Sequence, residues 1–516
     1  MRGDVIMLQP GTSASPKATR REWIGLAVIA LPCLVYSMDL TVLNLAVPHL
    51  ALDLAPSAAE LLWIIDIYGF LLAGALIVMG TLGDRIGRRR LLLIGAAAFA
   101  LASTLAAFAN SAATLIAARA LLGIAGATLA PSTLSLIRNM FLDDRERTFA
   151  IGVWIACFSA GAAIGPLIGG AVLAHFWWGA VFLLGVPVMV LLLVLGPFLL
   201  PEYRDEDAGR MDILSAVLSV IAVLAVIYGV KRIAEDGASP ENFVPILIGL
   251  AVGVKFVRRQ QHLAEPLIDL SLFRDPAIGT ALTVNMLALF SAMGIFLFIS
   301  QYLQLVIGMG PFEAGLWTAP SGIAFVVGSL GTPFVVRFIR PVDVVVGGLL
   351  LAAAGFVLMT RMDPAAPLPV LVPAIVMFCL GLSPVGTLTT DLVMRVAPPE
   401  RAGGVSAISE TSFELGAALG IAVLGSIVAA LYRLAMADVV LDLPADALGA
   451  ARRTLDGAVV AAGRLPPSVG EPLLAAAHGA FAHALSVAAM VCAGVTAFAA
   501  GLAALMLRRV GYKGDR

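Results

Sequence analysis

Charge is what this chain has least of. Only 13% of its 516 residues are Asp, Glu, Lys or Arg, and the formal net charge is −1. That balance leaves no basic surface for a nucleic acid, so none is expected as a partner. Cysteine and histidine are scarce as well, four and five residues. Cys33, Cys157, Cys379 and Cys492 all fall inside apolar runs. None has a second Cys or a His at ligand spacing, which argues against disulfides and a metal cluster. The histidines are scattered through loops and span ends, and only His478 and His483 are close in sequence. A membrane enzyme would cluster nucleophile, base or metal ligands near an interface. A Gly-x4-Gly-Lys-Ser/Thr loop is missing too, and with it the phosphate cradle of an ATP-driven pump. No cofactor is expected, and no soluble signalling domain is present to make the chain a sensor.

What fills the space is hydrocarbon. Sixty per cent of the residues are hydrophobic, and runs of about twenty apolar residues recur along the whole length. The expected class is an all-α polytopic membrane protein, since the lipid interior admits only structures whose backbone is satisfied internally. Fourteen spans are predicted: Trp23–Pro48, Leu61–Leu82, Leu91–Ala109, Ala112–Ile137, Thr148–Ala174, Gly179–Leu200, Ile213–Val230, Phe243–Val257, Ile278–Ile307, Ala314–Phe338, Val342–Met359, Leu368–Met394, Gly403–Tyr432 and Ala480–Leu507. The first run is too long for a signal-peptide core and lacks a clear cleavage site, so it is read as a retained span.

With the N-terminus inside, 25 of the 33 lysines and arginines fall on the inner side. Seven fall outside (Lys231, Arg232, Arg361, Arg433, Arg452, Arg453 and Arg464), and Arg119 is intramembrane. That asymmetry places both termini in the cytoplasm. The expected organisation is a tail (1–22), a six-helix bundle (23–200), a linker with an inserted hairpin (201–277), a second six-helix bundle (278–507) and a tail (508–516). The second bundle carries one long outer loop, 433–479. DALGAARRTLDGAVVAAG within it has helical composition and RLPPSVGEP should break it. A helical hairpin over the outer vestibule and a plain connector remain equal readings.

Charges placed in lipid are costly and usually functional. Asp39 lies midway along the first span, Asp66 about a turn and a half into the second, and Arg119 in the outer part of the fourth. Glu410 and Glu414 lie in the thirteenth, and their spacing puts both on one helical face. Each acid is either a proton or cation site or a structural ion pair inside the bundle. Arg119 reads as a partner that holds an acid in place, with Asp39 the natural candidate. Asp391, near the inner end of the twelfth span, reads as interfacial.

Two glycine patterns stand out. GTLGDRIGRRR runs from Gly80 to Arg90 between two spans. Gly83 and Gly87 permit close approach or a positive-φ turn. Asp84 can pair with an arginine of the segment or with the end of a helix from elsewhere. The plain alternative is a solvated basic loop. In AGAAIGPLIGGAV, Gly161, Gly165 and Gly169 recur on one face so that a helix can approach closely, while Pro166 removes a backbone donor. GSLGTPFVVRFIR, Gly328 to Arg340, is a decayed copy of the first pattern with its acid gone, as in two parallel halves.

Together with MDLTVLNLAVP, ELLWIIDIYGFLLAG, LAPSTLSLIRNMF and SETSFELG, these patterns resemble the fourteen-span drug:proton antiporters of the major facilitator superfamily, in particular its multidrug pumps. The resemblance covers residues 21 to about 507. It implies a major facilitator fold with two six-helix bundles plus two additional central helices. It implies a monomer in the lipid bilayer of the bacterial inner membrane, exporting lipophilic cations against a proton gradient. Asp39, Asp66, Glu410 and Glu414 match the family's proton or cation sites, with Arg119 a proton-coupling partner. Gly80, Gly83, Asp84, Arg85, Gly87 and Arg88 match its cytoplasmic gate. Gly161, Gly165, Pro166, Gly169 and Gly170 match its antiporter motif, which favours efflux over uptake. Two departures put dicationic substrates in doubt: the tenth span has no acid, and Gly185 stands where relatives often carry Asn. Phe290, Phe296, Phe298, Tyr302, Trp317 and Phe413 are candidates for an aromatic wall or for ordinary packing. An exporter of an endogenous metabolite, antibiotic or lipid would share all of these motifs.

Overall fold

The structure, a computed structural model, describes residues 16–205, 211–236, 239–263, 266–268, 270–362, 366–396, 398–437 and 445–507. These residues form α1 (Arg20–Leu54), α2 (Ala58–Ile86), α3 (Arg88–Ala107), α4 (Ala112–Met140), α5 (Asp144–His175), α6 (Ala180–Leu183), α7 (Gly185–Leu199), α8 (Ile213–Asp236) and α9 (Pro240–Gln260). They continue with α10 (Pro276–Gln301), α11 (Pro311–Val335), α12 (Pro341–Met359), α13 (Leu368–Val396), α14 (Ala402–Ala437), α15 (Ala445–Arg453), α16 (Leu455–Ala462) and α17 (Pro467–Met506). Among the described residues, fourteen helical segments are long and apolar enough to cross a membrane, with α6 and α7 together making the sixth. The protein is a multi-pass membrane protein.

Helix ends differ from the expected spans for a physical reason. Hydrophobicity marks only the part of a helix that lies in lipid, whereas polar caps set where the helix stops. Thr19 and Glu22 form a capping box that starts α1 at Arg20, inside the expected tail 1–22. Ser57 and Glu60 do the same for α2. At 35 residues, α1 is about 52 Å long, well beyond the hydrocarbon thickness of about 30 Å. Most of the expected N-terminal tail, and all of 508–516, lie outside the described residues.

The segment 433–479 is mostly helical. α14 runs on to Ala437, and α15 and α16 follow. Tyr432 Oη donates to the carbonyls of Ala451 and Thr454 and so ties this hairpin to α14. The break expected at RLPPSVGEP is short. Pro467 occupies the first turn of α17, where its missing N–H costs nothing, and the helix continues past Pro472.

The side chains of α1–α7 share one apolar core and those of α10–α17 another, giving two six-helix bundles. The pair α8–α9 is inserted between them in sequence. It packs on α2 through Phe70, Ala73 and Ile227, with Leu224 of α8 lying over Gly74.

Candidate functional site at the seam between the bundles

The bundles meet along two helix pairs, α2 with α14 and α5 with α11. Both contacts depend on missing side chains. A Cβ at Gly80 would lie 2.5 Å from Ala407 Cβ and 2.5 Å from the Gly403 carbonyl oxygen. A Cβ at Gly152 would lie 2.8 Å from the Ser329 carbonyl oxygen. Gly83 instead faces Leu91 of its own bundle, and Gly87 turns the chain at φ +109° between α2 and α3. The close approach expected of Gly83 therefore belongs to Gly80.

Asp84 takes both of the partners open to it. Arg88 Nε donates to Asp84 Oδ1 at 2.9 Å, and the Gly403 and Gly404 amides donate to Oδ1 and Oδ2 at 2.9 and 2.8 Å. Asp84 thus caps the first turn of α14 from the other bundle, where unpaired amides and the helix dipole favour an anion. Arg88, 1% exposed, continues across the seam to the carbonyls of Pro399 and Glu400. Arg85 lines a cavity of about 300 Å³ beside them, with Asp205, Glu400 and Arg401. From the segment after α7, the Glu202 carboxylate accepts from the Arg89 and Arg90 amides and so caps α3.

A second cross-bundle knot was not foreseen in the sequence. Asp391, near the end of α13, is 1% exposed. It accepts from Arg147 Nε (3.1 Å), Thr148 Oγ1 (2.8 Å) and Arg395 Nε (3.0 Å). Arg147 and Arg395 both reach Asp144 as well. The readable signal was the DRERT run that opens α5, a cluster of charges facing the end of α13.

Inside the N-terminal bundle, Arg119 of α4 pairs with Asp39 of α1 at 2.7 Å. Arg119 also donates to the carbonyls of Ile64 and Ile65 and lies 4.8 Å from the Tyr68 ring centre. Gly123 permits this, because a Cβ there would meet the Tyr68 carbonyl oxygen at 2.5 Å. Asp66 pairs with Lys231, a residue the hydropathy pattern put in an outer loop but which lies on α8.

Glu410 and Glu414 differ from both aspartates. Tyr36 Oη of α1 donates to Glu414 Oε1 at 3.2 Å across the seam. Glu410 is 6% exposed and its Oε1 has no hydrogen-bond partner. Neither glutamate has a cationic partner among the described residues. The rings beside them come from the N-terminal bundle: Tyr36 packs against Phe158 and Tyr68, and Phe158 against Trp154. Of the aromatics chosen from the sequence, Phe298 and Tyr302 are buried in the C-terminal core and Phe296 meets Phe378 edge-on. That is packing. The usable signal was Tyr36, three residues before Asp39, and the Trp154/Phe158 pair one turn apart on α5.

Gly161, Gly165 and Gly169 all face α1. Cβ atoms there would meet the Leu34 carbonyl oxygen at 2.2 Å, Thr41 Oγ1 at 2.3 Å and Val42 Cγ1 at 2.6 Å. Gly170 has open space, and α5 stays helical through Pro166. Gly185 lies beside Val35 and Phe99 in a small pocket next to Asp39.

Two helical bundles joined by a seam, with acids buried along it, define a membrane transporter. The family model described as Major Facilitator Superfamily matches residues 29–421. The chain is 42% identical over 499 residues to the multidrug efflux pump LfrA of Mycolicibacterium smegmatis (strain ATCC 700084 / mc(2)155), covering 97% of this chain and 99% of the relative. It is 37% identical over 487 residues to the methyl viologen resistance protein SmvA of Salmonella typhimurium (strain 14028s / SGSC 2262), covering 91% and 94%. The crystal structure of the human organic anion transporter MFSD10 (TETRAN) superposes with a TM-score of 0.61 at 15% identity, covering 94% of this chain and all of that one, a likeness of fold alone. The chain belongs to the major facilitator superfamily.

Proposed function

We propose that this transporter is a drug:proton antiporter of the bacterial inner membrane, exporting lipophilic cations such as quaternary ammonium compounds and dyes, with both termini cytoplasmic. The observation that carries the reading is the glutamate pair. Two carboxylates share one face of α14 at the seam, Glu410 buried and Glu414 half-buried, and neither has a cation of the protein's own among the described residues. An ionised carboxylate in such a place is costly until something neutralises it. A proton on Glu410 does so, and a substrate cation beside it does so. The two exclude each other, and exclusion at one site is the minimal chemistry of exchange. Tyr36, Tyr68, Trp154 and Phe158 offer flat apolar walls, and each ring facing a cation contributes about 1 kcal/mol without demanding a particular shape.

Asp39, held by Arg119, and Asp66, held by Lys231, are the further proton or cation sites of this reading. Rocking of the bundles exposes the pair to either side. Asp84, Arg85 and Arg88 form the cytoplasmic latch that closes one side. The helix spacing set by Gly161, Gly165 and Gly169 keeps α5 against α1 during that movement. The names of the relatives support efflux, and methyl viologen is an organic dication, so doubly charged substrates belong in the trial. The protein works as a monomer and needs no cofactor beyond the proton gradient.

The test is proton movement in inverted membrane vesicles that hold a respiratory pH gradient, reported by a quenched dye, when a quaternary ammonium compound is added. Release that requires both the compound and the protein is the expected result. Silence across a panel of mono- and dications would replace this reading with export of an endogenous metabolite, antibiotic or lipid.

A further inference from the structure

Trp63, Asp66 and Phe70 recur at spacings of three and four and so share one face of α2. Tyr228 and Lys231 share one face of α8 for the same reason. The two faces meet. Lys231 Nζ donates to Asp66 Oδ1 and lies 4.9 Å from the centre of the Phe70 ring. The Phe70 ring centre is 6.3 Å from that of Trp63 and 6.4 Å from that of Tyr228. Phe70 is buried, whereas Trp63 and Tyr228 are 45% and 41% exposed, so the cluster is reachable from outside the packed core.

This cluster is separate from the Asp39–Arg119 pair. Ile64 and Tyr68, fully buried, face Arg119. Asp66 stands two residues from each, about 200° around the helix and therefore on the opposite side. An ammonium between a carboxylate and aromatic faces is the arrangement by which organic ammonium ions are held. Here the chain supplies the ammonium itself, on a flexible four-carbon stem that can leave.

We propose that Trp63, Asp66, Phe70 and Tyr228 form a second organic-cation site, and that Lys231 is its resident cation. A substrate ammonium enters only by displacing the lysine, so Lys231 sets which cations the site admits. The inference deepens the antiport reading, which already counts Asp66 among its proton or cation sites, and takes from it the class of ligand.

Equilibrium dialysis of the purified full-length protein with labelled tetraphenylphosphonium tests it. At subsaturating tetraphenylphosphonium, Lys231→Met should bind up to one more equivalent than the wild type, which fills this site only near saturation, where the lysine is displaced. Lys231→Met with Asp66→Asn should lose that gain, Lys231→Met with Glu410→Gln should keep it, and Lys231→Arg should behave as the wild type. No gain in Lys231→Met, or a gain that survives Asp66→Asn, overturns the site and leaves the ion pair a strut between helices. If the wild type binds no cation, the antiport reading fails. A gain in Lys231→Met would still uphold the site, and no binding in either would overturn both.

Should Lys231→Met fail to fold, the wild type answers alone. The chain has four lysines, so ¹³C-dimethylated Lys231 is assignable by NMR against Lys231→Arg. Its resonance, displaced by the Phe70 ring, should move to the free position at saturating tetraphenylphosphonium. A resonance that stays in place overturns the proposal.

Discussion

Asp84 and Glu410 are both buried acids on the seam between α2 and α14, and Glu410 lies about 10 Å along α14 from Gly403, whose amide donates to Asp84, seven residues at about 1.5 Å each. Asp84 has a guanidinium and two backbone amides on its two oxygens. Glu410 has an oxygen with nothing on it. The same chemical group therefore does opposite things at the two depths. A carboxylate with a complete set of donors is finished: it holds two bundles together, and any proton or cation brought to it must first break those bonds. A carboxylate left bare at the same seam is unfinished, and its missing partner has to arrive from elsewhere. Asp391, with two arginines and a threonine, belongs with Asp84. Glu414, with one tyrosine hydroxyl, belongs with Glu410.

The sharpest way to break this contrast is to neutralise the bare acid. Glu410→Gln should abolish drug-dependent proton release in inverted vesicles while leaving membrane abundance unchanged, since among the described residues no donor relies on Oε1. Normal pumping by this variant would make the glutamate structural and remove the contrast altogether. Asp39→Asn should also abolish transport, but with a fall in abundance, because it strands the buried Arg119. Western quantification of the two variants separates the cases.

Next in size is loss of a finished acid. Asp391→Ala removes the buried one of Arg147's two carboxylate partners and leaves only Asp144, whose side chain is 60% exposed; breaking a buried pair costs up to about 3–5 kcal/mol. The expected readout is a lower melting temperature of the purified protein, with Asp391→Asn milder because it still accepts from Thr148. A melting temperature equal to the wild type would show that Asp144 carries the knot alone. Gly80→Val should act at the same end by sterics. Its branched side chain would press on the Gly403 backbone and Ala407 across the seam, a form of overpacking that costs about 1–3 kcal/mol. Cross-linking of Thr81→Cys with Gly404→Cys should fall in the Gly80→Val background, and undiminished cross-linking would mean that α14 gives way.

The contrast between finished and bare acids was only partly legible in the sequence. Apolar runs located all fourteen spans, because burial in lipid leaves no other way to satisfy the backbone. The Asp39–Arg119 pair was readable, as the arginine and the acid are both stranded in apolar runs and each needs the other. Asp84 could be given two partners, and it takes both. The Tyr36–Glu414 contact, between residues 378 positions apart, was not readable, since nothing local to either residue marks its partner. Lys231 was misplaced because hydropathy counts it as the end of a span, while the helix carries it on to meet Asp66. The partners of Asp391 were not readable either, since Arg147 comes from a different helix 244 positions away. The aromatic candidates were open to a wall or to ordinary packing, and Phe296, Phe298 and Tyr302 pack in the core, while the ring that meets Glu414, Tyr36, comes from the other bundle.

At the far end of the scale is an acid that is neither buried nor on the seam. Asp212 precedes α8 and accepts from Arg259 at 2.7 Å and from Ser215 at 2.6 Å. The hydrogen bond from the Arg259 guanidinium, and then that from Ser215, hold its carboxyl well below the usual carboxylate range. The sign follows from linkage. A group whose folded-state value is depressed contributes stability above its unfolded value of about 3.9, and that contribution fades as the pH falls further toward the folded value. The pair ties the two inserted helices together at the surface, where solvent screens it. Asp212→Asn should therefore lower the melting temperature only slightly at neutral pH, and the gap between variant and wild type should narrow as the pH drops below about 4. Proton release in vesicles should be unchanged. A gap that stays constant with pH would mean that the stabilisation does not come from the charge. A loss of transport would mean that the inserted helices act on the exchange itself, and the division between finished and bare acids would then have to extend to the pair that holds Asp66.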